Sequence, residues 1–154
     1  MKTLRNIFTL FALVAFTGVY AQMENKQVEK ETLVKNYEVE TSKGNMTYTL
    51  KVDTKRTNWV TMEKEELSKK EQTRVHQPKK ITKVISIKGD DDPTYDNVLY
   101  VTYKANEDDD FEIYPTKEGF TLSVVGKDFR YRLLDRNYSV NKEYEDFFEV
   151  SMSQ

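Results

Sequence analysis

The chain has 154 residues, with 24 Lys and Arg against 26 Asp and Glu, one His and no Cys. That length suits one domain, and the lack of Cys excludes a disulfide scaffold, a thiolate zinc site, a cysteine nucleophile and a lipid-modified N-terminal cysteine. A net charge of −2 exerts no global pull toward nucleic acid or an anionic membrane, while 10 Tyr and 8 Phe against 5 Gly and 3 Pro argue against a wholly disordered chain.

The first segment has the layout of a secretory leader. Lys2 and Arg5 precede an apolar run from Ile7 to Val19, and Val19-Tyr20-Ala21 places small residues at the −3 and −1 positions before Gln22. The run is shorter than the ~20 apolar residues needed to cross a bilayer core. The expectation is a bacterial signal peptide over 1–21, cleaved after Ala21. The mature chain of 133 residues keeps all 26 acids and loses Lys2 and Arg5, for a net charge of −4. It is expected to be secreted or periplasmic, not a lipoprotein, with no transmembrane segment after cleavage. In an oxidising compartment a cysteine-free chain rests on its core alone.

Residues 22–154 read as a single β-rich domain, with a polar, flexible lead over 22–31. Leu33 to Thr41 and Met46 to Val52 alternate with period two; Met46, Tyr48, Leu50 and Val52 share one face and Thr47, Thr49 and Lys51 the other. Ser42-Lys43-Gly44-Asn45 suits the turn between them. Further strands are expected at 56–61, 81–88, 97–104, 110–114, 120–125, 128–134 and near 146–152. Val98 and Tyr100 on one face, with Leu99, Val101 and Tyr103 on the other, predict a central strand covered on both sides. The fold class is mainly β: an antiparallel meander of about 8 strands forming a small sandwich or barrel.

One short helix is predicted near 62–76. Thr61 can cap it, Glu65 and Glu66 stand four residues before Lys69 and Lys70, and Pro78 stops it. Its apolar face is thin: Leu67, with Met62 and Val75.

The loop Gly89 to Asn97 gathers Asp90, Asp91, Asp92 and Asp96, the candidate ligands for a hard cation such as Ca²⁺. A solvated turn is the commoner use of such residues, and the spacing does not match an EF-hand loop. A second acidic loop, Asn106 to Asp110, lies at the other end of the 97–104 strand, too far away to share a metal with the first. No other cofactor is expected. With His76 alone, chemistry built on several histidines is excluded, and no two mature glycines are close enough for a dinucleotide or P-loop motif. The basic stretch Lys69, Lys70, Arg74, Lys79, Lys80 and Lys83 is interleaved with Glu63, Glu65, Glu66 and Glu71, which suits a solvated face and not nucleic acid.

Trp59, Arg130 and Arg132 are the candidate ligand-binding residues: an aromatic platform, and two guanidinium groups on one strand face suited to a carboxylate or phosphate. No catalytic residue stands out. The leading expectation is a non-enzymatic exported domain that binds an unidentified protein or small molecule in the envelope or outside the cell. Two alternatives are a lipocalin-like carrier of a small apolar ligand, which requires a hollow interior, and a secreted hydrolase using paired carboxylates, which requires an acidic cleft. An eight-stranded outer-membrane barrel needs strands of ~9–11 residues with lipid-facing apolar bands; the expected strands are mostly shorter and carry charges.

Overall fold

The computed structural model describes residues 26–41, 44–62, 70–71, 74–75, 77–89, 92–106 and 110–153. The leader, its cleavage site and residues 22–25 lie outside them. The described chain is a β-sandwich of nine strands in two antiparallel sheets, with a separate two-stranded ladder, and it does not close into a barrel.

The first sheet begins with a long hairpin. Strands β1 (Lys26–Thr41) and β2 (Gly44–Trp59) pair along their whole length, from Lys26 opposite Trp59 to Thr41 opposite Gly44. Each has 16 residues, a span of roughly 50 Å at the usual strand rise. Two expectations change here. The polar lead is already strand from Lys26 onward, and 56–61 is no separate strand down to Trp59 but the continuation of β2. Charged residues tolerate this because β1 is an edge: Glu31 accepts from Arg56 at 2.9 Å, and Asp53 takes Thr32 at 2.6 Å and Lys51 at 2.9 Å.

Strands β3 (Thr61–Met62) and β4 (Arg74–Val75) pair with each other. The predicted helix therefore fails at both described ends, while residues 63–69, 72–73 and 76 lie outside the described residues. Its i,i+4 charge pairs are worth only tenths of a kcal/mol each, and with so thin an apolar face little else favours a helix over the ladder.

Strands β5 (Lys79–Lys88) and β6 (Asn97–Ala105) continue the meander, and β11 (Glu149–Ser153) returns at the end to pair with β6, for the order β1-β2-β5-β6-β11. Leu99, Val101 and Tyr103 of β6 are buried, but Val98 is half-buried and Tyr100 exposed. The strand is internal, as expected; its second face is not covered. Lys83 overturns the solvated-face reading for its own position. It stands in phase with Ile81, Ile85 and Ile87 and is only 2% exposed, with Nζ donating to Thr54 Oγ1 at 3.2 Å and lying 4.0 Å from the Phe111 ring centroid.

The second sheet, β10-β9-β8-β7, is formed by β7 (Phe111–Pro115), β8 (Gly119–Val124), β9 (Lys127–Arg132) and β10 (Asn137–Val140), the last not foreseen. A short 3-10 turn, Lys142–Tyr144, capped by the Asn141 side chain, then leads through Phe147 and Phe148 into β11. Phe148 meets Tyr103 and Phe147 edge-on.

The inner faces meet in a filled core. Leu50, Val52, Ile85, Ile87 and Leu99 come from the first sheet, and Phe120, Leu122, Val124, Phe129 and Tyr131 from the second. A ladder of rings crosses between them: Tyr37–Tyr48 at 5.3 Å, Tyr48–Phe120 at 6.3 Å and Phe120–Tyr131 at 5.1 Å, all stacked. The Tyr48 hydroxyl donates to the Gly119 carbonyl at 3.0 Å, a buried bond joining the sheets. Burial pushes the Tyr37 hydroxyl up to about 12, and burial together with Tyr37 pushes Tyr48 higher still.

A Cβ at Gly119 would run into the Tyr131 carbonyl, whereas one at Gly89 meets only the Asp96 carboxylate at an ordinary 3.6 Å. Gly119→Ala should therefore cost about 2 kcal/mol or more in urea unfolding, and Gly89→Ala much less. The neutral tyrosines are favoured by folding, so their contribution is complete below pH ~10 and is lost as pH rises through the raised values. The urea midpoint should fall between pH ~10 and ~12, and less steeply in Tyr37→Phe.

Candidate functional site

Two concave regions bounded by described residues lie at opposite ends of β6. Eight steps along that strand, from Asn97 to Ala105, separate them by roughly 26 Å.

The larger is an open groove of about 1020 Å³ between the sheets at the Ala105 end. Trp59, Val75, Val125 and Phe147 line it with Lys79, Lys104 and Lys127, and among the described residues the lining carries no Asp or Glu. Trp59 is 41% exposed because β2 runs past the core at this end. Val75 arrives on the small ladder, and Val125 from the β8–β9 turn. The Lys127 ammonium sits 4.6 Å from the Phe147 ring centroid, so a cation and an aromatic face already share one wall.

Val125 is unusual in two ways. It is 50% exposed, and it holds φ at 50°, followed by Gly126 at 72°. Two positive φ values in a two-residue hairpin match the twist of the flanking strands, and Asn-Gly is the usual solution. A β-branched residue there is strained. The fold thus keeps an exposed apolar side chain at the groove where Asn would be easier.

The smaller region, about 210 Å³, lies at the Asn97 end. Met46, Ile87, Leu133 and Leu134 line it with Asp96, Asn97, Tyr131 and Arg136. Asn97 is 3% exposed and Tyr131 1%, and the two side chains lie side by side, yet among the described residues neither Asn97 Oδ1 nor the Tyr131 hydroxyl has a partner at hydrogen-bonding distance and angle. Burial raises the Tyr131 hydroxyl above its ordinary range, with Arg136 and the Asn97 side chain opposing and Asp96 adding to the rise. Asp96 is held in place as its Oδ2 accepts from Gly89 N at 2.7 Å, while its Oδ1 stands 3.9 Å from the Arg136 guanidinium.

The predicted residues do not converge. Trp59 lines the groove. Arg130 and Arg132 lie on the outer face of the second sheet, where Arg132 is paired with Glu118 at 3.1 Å and Asp135 at 2.9 Å. Of the Ca²⁺ candidates, Asp90 and Asp91 lie outside the described residues. Asp92 Oδ1 accepts from both the backbone and the hydroxyl of Thr94 at 2.7 Å, which lowers its pKa, and Asp96 staples the loop as above. No group of three or more metal-ligating side chains occurs among the described residues. His76 lies outside them.

Sequence reading missed Val75, Val125, Phe147, Asn97 and Tyr131 as site residues. A valine before Gly126 in a hairpin turn was one available signal, and Asn97 in phase with Leu99 and Val101 was another. Comparison with protein-family models, with curated proteins and with solved structures finds no match.

Relief of the strain at residue 125 is measurable. Val125→Asn should stabilise the fold by about 1 kcal/mol in urea unfolding, the difference between a side chain that resists positive φ and one that tolerates it.

Proposed function

We propose that this chain is an exported, non-enzymatic β-sandwich that binds an amphipathic, anionic ligand in the groove beside Trp59. Export rests on the leader pattern of residues 1–21. The observation that carries the binding reading is the groove itself, which combines exposed Trp59, Val75 and Val125 with three lysines and no carboxylate in its described lining. An apolar body would cover the aromatic and valine surface, and an acidic head would meet Lys79, Lys104 or Lys127.

The alternatives fare less well. A lipocalin-like carrier needs a hollow interior, and Leu50, Ile85, Leu99, Phe120 and Phe129, all buried at 0%, occupy the space between these sheets. A hydrolase built on paired carboxylates finds no acid in the described lining of the groove.

Trp59 is the chain's one tryptophan and therefore a built-in reporter. Titration with dodecanoate below its micellar concentration should shift Trp59 emission saturably. Dodecyltrimethylammonium should do so much less, and the Lys104→Gln/Lys127→Gln double variant should weaken dodecanoate binding about tenfold, a loss of ~1.4 kcal/mol. Equal responses to the cationic and anionic amphiphiles, or none that saturates, would overturn the reading.

A further inference from the structure

The pocket at the other end of the sandwich carries a separate inference, independent of the groove. Its polar side chains are Asp96, Asn97, Tyr131 and Arg136, and two of them present buried atoms with no hydrogen-bond partner among the described residues. Leaving a buried polar atom unpaired costs about 1–3 kcal/mol, so such atoms in a folded protein call for an explanation. A single bridging water is the simplest. The pocket, however, has roughly seven times the share of liquid volume that one water takes, and it is walled by Met46, Leu133 and Leu134, which offer water nothing.

We infer that this pocket binds a small neutral polyhydroxy ligand, one sugar ring or the end of a glycan. Asn97 Oδ1 only accepts hydrogen bonds, whereas the Tyr131 hydroxyl donates and accepts. A ligand hydroxyl serves both, since it donates to the first and exchanges with the second. Asp96 and Arg136 add one charge of each sign, so the pocket favours neither a net anion nor a net cation. Their 3.9 Å separation leaves both groups able to take up adjacent hydroxyls. The apolar wall, with Leu134 exposed, suits the C–H face of a pyranose. The volume of about 210 Å³ matches one sugar ring.

The test is an NMR titration of the ¹⁵N-labelled protein with glucose, galactose, mannose and N-acetylglucosamine, with glycine and acetate as charged comparators. At least one sugar should shift the Asn97 side-chain amide and the Arg136 backbone amide saturably. Tyr131→Phe should weaken that binding at least tenfold while leaving the urea midpoint unchanged or raised, because the buried hydroxyl it removes has no partner at hydrogen-bonding distance and angle among the described residues. Arg136→Asn, which suits the positive φ of 49° at that position, should weaken binding without unfolding the chain. The inference is overturned if no sugar moves the Asn97 amide, or if glycine moves it as strongly. It is equally overturned if Tyr131→Phe lowers the urea midpoint, which would mark the hydroxyl as anchored by structural water alone.

Discussion

Everything in this sandwich hangs on the hydrogen bond that joins the two sheets at Gly119. The stacked rings of Tyr37, Tyr48, Phe120 and Tyr131 run from the edge strand through the first sheet into the second. The Tyr48 hydroxyl bonds across the sheets to the Gly119 carbonyl, and within the second sheet the missing side chain at Gly119 is what lets the Tyr131 backbone of β9 come so near. Stacking alone would tolerate sliding. The hydrogen bond fixes the register between sheets, because a buried hydroxyl that lost its acceptor would be left unsatisfied. The same junction delivers Tyr131 to the small pocket, so architecture and site share a residue.

Much of the fold was legible because strand periodicity is a strong local signal. Tyr48, Leu50 and Val52 predicted the buried face of β2, and Phe120, Leu122 and Val124 that of β8; both faces are the core. Strand limits were harder. Val28 is the one apolar residue from Lys26 to Glu31, too little to mark a strand, and those residues are ordered by the partner they pair with. At the described ends of the 61–77 segment the helix reading failed for the opposite reason: the charge pairs are plain in the sequence, and the pairing of Thr61–Met62 with Arg74–Val75 is not. Lys83 was readable by phase alone, alternating with isoleucines, but its cluster of neighbouring lysines suggested solvent.

The binding surfaces were scarcely legible. The groove draws Trp59, Val75, Val125 and Phe147 from four separate segments, and no spacing in the chain announces that they meet. The acidic loop at Gly89 to Asn97 attracted notice for its carboxylates. In the folded chain its described acids bond within the loop or face Arg136, and the residue of most interest is the neutral Asn97 at its end. Charge is divided by position: lysines gather at one end of the sandwich, while an acid and a base balance at the other.

The return of β11 to β6 has a bearing on how the chain assembles. The whole second sheet is an excursion inserted between two strands that are neighbours in the first. A chain emerging from its N-terminus forms the β1–β2 hairpin and the β5–β6 pair early, from contacts near in sequence. β6 then keeps an unpaired edge, flanking Leu99 and Val101, until some fifty residues later the final strand arrives. Closing so long a loop is slow compared with forming hairpins. The vulnerable interval in this protein's life is therefore the wait for its last strand, when the β6 edge, unlike the charge-rich edge at β1, offers core residues and bare backbone to any other extended chain.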